Sequence, residues 1–297
     1  MEVTGGWSCG SLKCTNRVVP VLQSETHELT FIHISDTHLG PDAAYVHRGF
    51  APHERMLHLV RDISRLGIIP DFVVHTGDVC GDKETHATLA HYRHANTLLT
   101  QLPGPQYYLV GNHDCATSLF SSLQMGAHDV FYQNGDDRAY SFTSKGVACF
   151  SLSSSIATKR EGLISTAQRE ALEARIAACT SPMVFFLHHP PLTMGSPWMD
   201  ENMLLQDGEE LHQLLSRYRE RVLGVFFGHI HQPWQTIRDG INYFSSPGTI
   251  FQFSTLPSDV QNRIEPESVV SYSVVHLRAG QLQVNMRIAP GSQRAAV

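Results

Sequence analysis

The chain has 297 residues, of which 42% are hydrophobic and 17% are charged. This is the composition of an ordinary globular protein, with enough apolar residues for one large domain or two small ones. The formal charge of −6 argues against the broad basic surface that nucleic-acid or membrane binding requires, so we expect neither partner. Any phosphate chemistry would then need a local positive charge, which bound metal ions can supply.

Cysteine usage indicates the compartment. None of the six cysteines shows Cys-x-x-Cys spacing, and residues 1–14 are small and polar rather than the apolar core of a signal peptide. These features predict free thiols in a reducing cytoplasm. The chain also has 18 histidines, and His86, His91 and His94 superficially resemble a helical zinc site. They lack the spaced pair with an intervening Glu, so the pattern does not favour a dedicated metal site there.

The first half of the chain alternates predicted strands and helices. Residues 1–27 show no sustained hydrophobic period and are predicted to be a flexible leader, ahead of a single domain at 28–290 and a loose tail at 291–297. The predicted elements are a strand at 29–34, a helix at 52–66, a strand at 72–74, a helix at 84–102 and a strand at 107–110. Strands joined by helical crossovers favour an α/β fold with a parallel sheet.

The second half mixes short strands with helices. The predicted elements are strands at 139–142 and 147–152, a helix at 165–179, a strand at 183–187, a helix around 211–218, a strand at 222–227, and antiparallel strands at 241–244, 271–277 and 281–288. Ser165 and Gln168 match a capping box that opens the first of these helices. The sequence shows no internal repeat and no apolar stretch long enough to span a membrane.

Five of the apolar runs are followed directly by side chains of the kind that bind metals. They are Asp36 and His38 after the first run, Asp78 after the second, Asn112, His113 and Asp114 after the third, His188 and His189 after the fourth, and His229 and His231 after the fifth. We expect these strand ends to lie along one rim of an open α/β sheet, where such folds keep their sites. Carboxylate, imidazole and amide ligands together suit Mn²⁺, Fe²⁺ or Zn²⁺ better than Ca²⁺.

The number of candidate ligands points to more than one ion. The seven candidates are Asp36, His38, Asp78, Asn112, His188, His229 and His231. A single ion rarely needs so many ligands, whereas two ions that share one carboxylate would use all of them. Such a pair clamps a phosphate and activates a water molecule in two-metal hydrolases.

The order of these motifs resembles a known family. Asp-x-His at 36–38, Gly-Asp at 77–78, Gly-Asn-His-Asp at 111–114, His-His-Pro at 188–190 and Gly-His-x-His at 228–231 resemble the calcineurin-like metallophosphoesterases. Within that family the sequence is most similar to the bacterial class III branch of cyclic-nucleotide phosphodiesterases and glycerophosphodiesterases. The resemblance covers roughly Leu29 to Phe253. It implies a four-layer α/β/β/α sandwich with two mixed sheets and a dinuclear metal centre.

The resemblance also implies roles for single residues. One ion would be held by Asp36, His38, Asp78 and His231, and the other by Asp78, Asn112, His188 and His229. Asp78 would bridge the ions, while His189 is expected beside the ligands rather than among them. A metal-bound hydroxide would attack phosphorus, and His113 would be catalytic, stabilising the phosphoryl group or protonating the leaving alkoxide. The sequence leaves open whether Asp82 or Asp114 orients His113.

The favoured function is hydrolysis of small phosphodiesters, of cyclic-nucleotide or glycerophosphodiester type. The alternatives are a phosphomonoesterase or pyrophosphohydrolase on the same centre, or a metal-free binding scaffold. The segment Gly77-Asp78-Val79-Cys80-Gly81-Asp82 departs from the protein-phosphatase pattern, which argues against phosphoproteins as substrates. The loop at 195–207 and the segment at 247–253 are candidate pocket walls. A homo-oligomer is possible.

Overall fold

The computed structural model describes residues 28–81, 87–156 and 159–290. Its strands are β1 Leu29–Ile34, β2 Phe72–His75, β3 Gln106–Tyr108, β4 Asp129–Asn134, β5 Asp137–Ser144, β6 Val147–Ser151, β7 Met183–Phe186, β8 Val222–Phe227, β9 Gln235–Arg238, β10 Ile241–Ser245, β11 Ser271–Arg278 and β12 Gln281–Ile288. Its helices are α1 Pro52–Arg65, α2 Leu89–Leu99, α3 Ala116–Ser122, α4 Thr166–Ala178, α5 Pro197–Asn202 and α6 Gly208–Ser216. Within this described part, no helix is long and apolar enough to cross a bilayer. The predicted leader, the predicted tail, Asp82 and His86 all lie outside the described residues.

The strands form two mixed sheets. The five-stranded sheet has the order β12-β11-β1-β2-β3, in which β1, β2 and β3 are parallel and β11 is antiparallel to both of its neighbours, β1 and β12. The seven-stranded sheet has the order β4-β5-β6-β7-β8-β10-β9, in which the four strands β6, β7, β8 and β10 are parallel. Since the pairing of β10 with β8 is parallel, the prediction of a purely antiparallel strand at 241–244 is wrong in this respect. Strand β10 is antiparallel only to β9, a strand that the sequence did not suggest.

Three apolar clusters separate four layers of structure. The two sheets face each other across stacked and edge-to-face rings that include Phe31, Phe72, Phe186 and Phe226. A second cluster lies under α1, α2 and α3, and a third lies under α4, α5 and α6. The four-layer α/β/β/α sandwich with two mixed sheets is therefore confirmed.

Several local predictions are confirmed and some are wrong. Helix α1 ends one residue before the predicted Leu66, whereas α2 begins at Leu89 rather than at residue 84. The Ser165 side chain caps α4 by accepting from the Gln168 backbone N–H, at 3.2 Å. The Gln168 amide does not complete the capping box, because it exchanges two hydrogen bonds with the Ser153 backbone.

Candidate metal centre

The predicted ligand-bearing loops converge, although they come from two sheets. Strands β1, β2 and β3 belong to the five-stranded sheet, whereas β7 and β8 belong to the seven-stranded sheet. The expectation of one rim on one sheet is therefore wrong. The two sheets meet at these strand ends, where the His229 backbone N–H donates to Asp36 Oδ2 at 3.0 Å. The candidate ligands therefore come together because the two sheets pack face to face, and not because they share the edge of one sheet.

One group of candidate ligands gathers around His231. Its Nε2 lies 3.3 Å from Asp36 Oδ1 and 3.3 Å from His38 Nε2. His38 Nε2 in turn lies 3.7 Å from Asp78 Oδ2. All four side chains are buried. The ligand atoms therefore surround one small volume at the cavity.

A second group gathers around His188. Its Nε2 lies 3.2 Å from Asn112 Oδ1, 3.0 Å from His229 Nδ1 and 3.4 Å from Asp78 Oδ2. Asp78 Oδ2 thus lies near a histidine of each group. The structure brings all seven predicted candidates into these two adjacent groups.

The donor atoms fit divalent cations. The Nδ1 atoms of His38, His188 and His231 lie 2.7–3.0 Å from the backbone carbonyls of Gly81, Thr76 and Phe251. Each Nδ1–H donates a hydrogen bond to its carbonyl, so the Nε2 atom of each ring, once the imidazole is neutral, presents a lone pair to the centre. Two lone pairs cannot hydrogen-bond to each other, and buried Asp36 Oδ1 has no hydrogen-bond partner among the described residues. A cation in each group would satisfy these atoms, since ligand nitrogens about 3.3 Å apart match tetrahedral Zn–N bonds of about 2.0 Å.

The protonation states suit metal binding as well. Burial would raise the pKa of Asp78, but His188 and other nearby imidazoles hold it well below its usual range. Burial lowers the pKa of His38 and of His229 well below the ordinary value. Burial also disfavours protonation of His188, yet the Asp78 carboxylate outweighs it and raises the His188 pKa to about 9. At neutral pH a cation would therefore find an ionised carboxylate and two neutral imidazoles, and would displace one proton from His188.

Backbone strain concentrates at the same place. Among the described residues, nine non-glycine residues have positive φ, and five of them are candidate ligands. These are Asp36, His38, Asp78, His229 and His231, with φ between 45° and 71°. Left-handed backbone is unfavourable for such residues and persists where the surroundings enforce it, often at functional sites. The backbone at Gly111 also lies very close to that of Asp78, since a Cβ at Gly111 would come within 2.2 Å of the Asp78 backbone nitrogen. Only glycine allows this approach.

His113 faces the cavity beside the two groups. Its backbone N–H donates to Asp78 Oδ1 at 2.9 Å, and its Nε2 lies 4.0 Å from Asp78 Oδ2. Its side chain is 22% exposed, whereas that of Asp78 is 2% exposed. His113 therefore borders the ligands and also reaches the cavity, which has a volume of about 580 Å³.

Asp114 connects two ligand loops instead of contacting the His113 ring. Its carboxylate accepts the backbone N–H groups of Gly111, Val79 and Cys80 at 2.9–3.1 Å. It also accepts the Tyr92 hydroxyl at 2.9 Å, and the Tyr92 oxygen accepts the backbone N–H of Cys115 at 2.7 Å. Sequence reasoning missed Tyr92, because a tyrosine in a helix carries no signal of its partner. Beside the ligands, His189 Nδ1 is hydrogen-bonded to Ser154 Oγ at 2.9 Å.

Comparison with known proteins gives the family. The profile of the calcineurin-like phosphoesterase family matches residues 29–233, which is more than half of the chain. The chain therefore belongs to this family of phosphoester hydrolases, and the predicted family and hydrolase class are confirmed. The family implies divalent metal ions, in agreement with the donor set.

Two relatives and one solved structure show what the chain is similar to. A 3′,5′-cyclic-nucleotide phosphodiesterase of Nostoc sp. is 29% identical over 235 residues, which cover 78% of this chain and 82% of the relative. A probable glycerophosphodiester phosphodiesterase of Arcobacter nitrofigilis is 28% identical over 207 residues, covering 69% and 73%. A dimetal phosphatase from Danio rerio superposes with a TM-score of 0.65 at 17% identity, covering 88% of this chain and 96% of that one. This last likeness shows a shared fold.

Proposed function

We propose that the protein is a dinuclear metal-dependent phosphohydrolase that cleaves small phosphodiesters of cyclic-nucleotide or glycerophosphodiester type. The observation that carries the proposal is the position of Asp78. One of its carboxylate oxygens lies 3.4 Å from His188 Nε2 and 3.7 Å from His38 Nε2. One shared carboxylate between two histidine-containing groups is the arrangement by which a protein holds two ions close together.

The proposed ligand sets follow the two groups of side chains. The first ion is assigned to Asp36, His38, Asp78 and His231, and the second to Asp78, Asn112, His188 and His229. Mixed nitrogen and oxygen ligands support Mn²⁺, Fe²⁺ or Zn²⁺ as the occupants. When bound, such ions neutralise phosphate charge and lower the pKa of a water molecule.

His113 is the proposed general acid. It lines the cavity with a side chain that is 22% exposed, and no ion is assigned to it. Because the alkoxide of a diester leaves poorly, a positioned proton donor speeds the bond cleavage. The hydrogen bond from the His113 backbone N–H to Asp78 fixes the backbone of this residue beside the proposed ligands, and its side chain reaches the cavity from there.

Three observations support a small diester as substrate. The cavity of about 580 Å³ is of the size that holds a nucleotide-sized ligand. The net charge of −6 does not suit a nucleic-acid polymer. Relatives that cover most of this chain are named as cyclic-nucleotide and glycerophosphodiester phosphodiesterases.

Turnover of two chromogenic esters tests the proposal. Protein loaded with Mn²⁺ should hydrolyse bis(p-nitrophenyl) phosphate with a kcat/KM about tenfold or more above that for p-nitrophenyl phosphate. The reverse ranking would indicate a phosphomonoesterase or pyrophosphohydrolase on the same centre. Bound metal without hydrolysis of either ester would indicate a scaffold.

A further inference from the structure

We propose that Trp198 and Arg160 form a stacking subsite for a planar aromatic ring, such as a nucleobase, on the substrate phosphodiester. The inference rests on the proposed function and adds specificity-determining residues to it. Both side chains line the cavity that contains the candidate metal centre. The Arg160 guanidinium carbon lies 5.8 Å from the centre of the Trp198 ring.

The tryptophan is held by its own local scaffold. It lies in α5, where the Trp198 carbonyl accepts the Asn202 side-chain amide at 2.9 Å. The Trp198 backbone N–H donates to the Asp259 carbonyl at 3.3 Å, which ties α5 to the 254–263 segment. That segment places Asn262 in the wall of the same cavity. The Trp198 ring is half-buried, and one part of it packs on the apolar cluster below.

Arg160 lies in a segment that hydrogen bonds of Gly162 fix beside the candidate metal centre. The Gly162 backbone N–H donates to the Leu204 carbonyl at 3.0 Å, and the Gly162 carbonyl accepts from Gln206 at 2.8 Å. Gly162 also lies against the ring of His189, since a Cβ added there would come within 2.5 Å of that ring. The backbone near Arg160 is therefore fixed against His189, the chain neighbour of the proposed ligand His188, while the Arg160 side chain is exposed.

The spacing suits insertion of a flat ring. An aromatic ring sandwiched between two planar groups needs two van der Waals separations of about 3.5 Å, or roughly 7 Å in total. The Arg160 guanidinium carbon lies 5.8 Å from the centre of the Trp198 ring, and a rotation of the exposed arginine side chain would open the space that an inserted ring needs. Stacking on Trp and Arg tolerates any planar base. Asn262 supplies an amide that can hydrogen-bond to the edge of the ring.

A planar ring is a better occupant than a second anionic group. Lys159 and Arg160 bring positive charge to this wall, and Glu161, which lines the same cavity, offsets part of it. A phosphate would leave the Trp198 ring without a stacking partner, whereas a planar ring would contact both Trp198 and Arg160.

The test measures discrimination between two diesters by the metal-loaded protein. The substrates are 3′,5′-cyclic AMP and glycerophosphoethanolamine, of which only the first has an aromatic ring. In Trp198→Ala the ratio of their kcat/KM values should fall roughly 5- to 150-fold, as expected for the loss of one base stack. Trp198→Phe should restore most of the ratio, and Arg160→Ala should lower it roughly 2- to 5-fold.

The control is Arg175→Ala. Arg175 lies in α4, where its guanidinium is 5.9 Å from the ring of Phe131 in β4. Neither residue lines the cavity, so the ratio should stay unchanged. A ratio unaltered by Trp198→Ala and Arg160→Ala would overturn the subsite. Equilibrium dialysis with adenosine 5′-monophosphate separates the two proposals. If Trp198→Ala and Arg160→Ala both bind the nucleotide more weakly than the wild type, the subsite is supported, even when neither diester is hydrolysed. Absence of hydrolysis would refute only the proposed function. Equal nucleotide binding in the variants and the wild type would overturn the subsite.

Discussion

His113 and Asp78 are neighbours with different proposed tasks. Asp78 is buried between the two ligand groups, whereas His113 reaches the cavity. His113→Ala should therefore retain its metal and lose activity by roughly 10²- to 10⁴-fold, the usual contribution of a general acid. The loss should be larger for cyclic AMP than for bis(p-nitrophenyl) phosphate, because nitrophenolate leaves without protonation.

The measurement is kcat on both substrates together with metal content. His58→Ala on α1 is a matched control that should behave as the wild type. An equal loss on both substrates, or loss of metal, would show that His113 is not the proton donor.

The Tyr92 hydroxyl supports the metal centre from a distance. It donates to Asp114 and accepts from Cys115, and Asp114 joins the loop after β2 to the loop after β3. Tyr92→Phe should destabilise the protein by about 1–3 kcal/mol, because it removes the acceptor of the Cys115 backbone N–H and one of the hydrogen bonds to the Asp114 carboxylate. It should also weaken metal binding, since Asn112 lies on the loosened loop.

Urea denaturation and metal titration measure the two effects of Tyr92→Phe. Tyr140→Phe is the comparison, because the Tyr140 hydroxyl donates to the Tyr108 carbonyl at 2.9 Å and is just as buried. It should lose stability and keep metal affinity. If Tyr92→Phe and Tyr140→Phe have the same metal affinity, Tyr92 contributes to stability and not to metal binding.

At the scale of single residues, the sequence shows which side chains can bind metal and not what holds them. Asn112 and His113 follow an apolar strand and are recognisable by type and position. The Tyr92 hydroxyl, which bonds to Asp114, and the Phe251 carbonyl, which bonds to His231, come from other segments of the chain and from common residue types. Only the folded geometry reveals these contacts, because any buried carboxylate or imidazole accepts many partners.

At the scale of elements, the loops after β2 and β3 approach so closely that glycine is required. In Gly111→Ala the new Cβ would lie 2.2 Å from the Asp78 nitrogen, so one of the loops must shift. We expect kcat/KM to fall by about 100-fold or more, since a shift of about 1 Å at a catalytic group costs that much.

The control for Gly111→Ala is Gly280→Ala, in the turn between β11 and β12. Gly280 has φ +74° and no atom near an added Cβ, so this change should cost about 1–2 kcal/mol of stability and no activity. Assays of kcat/KM and urea unfolding on both variants decide the matter. Full activity in Gly111→Ala would mean that the loops adapt without loss.

The elements themselves were largely predictable, and their arrangement was not. Long apolar runs identify β1, β7 and β8, because a buried strand needs continuous hydrophobic residues. Strand β9 has only one apolar residue, Ile237, and that residue is exposed, so the sequence of β9 resembles a loop. The division of five ligand-bearing strands between two sheets depends on contacts between distant segments, which periodicity does not encode.

At the scale of the whole molecule, two facing sheets create the site. The aromatic layer between them fixes their spacing, and the strand ends at one border bring Asp36 of one sheet to His229 of the other. The family and the sandwich were recognisable from five short motifs in order. The resemblance implied the architecture, and the candidate wall at 195–207 lines the cavity through Trp198, whereas Arg160 lies outside both segments that the sequence suggested.

The central claim is that Asp78 joins two metal ions in one pocket, and metal content per chain tests it most directly. The protein is purified, saturated with Mn²⁺, freed of excess metal and analysed by inductively coupled plasma mass spectrometry, in parallel with Asp78→Ala. The account predicts two ions per chain in the wild type and the loss of both in Asp78→Ala. One ion in the wild type, or two ions retained without the Asp78 carboxylate, would contradict it.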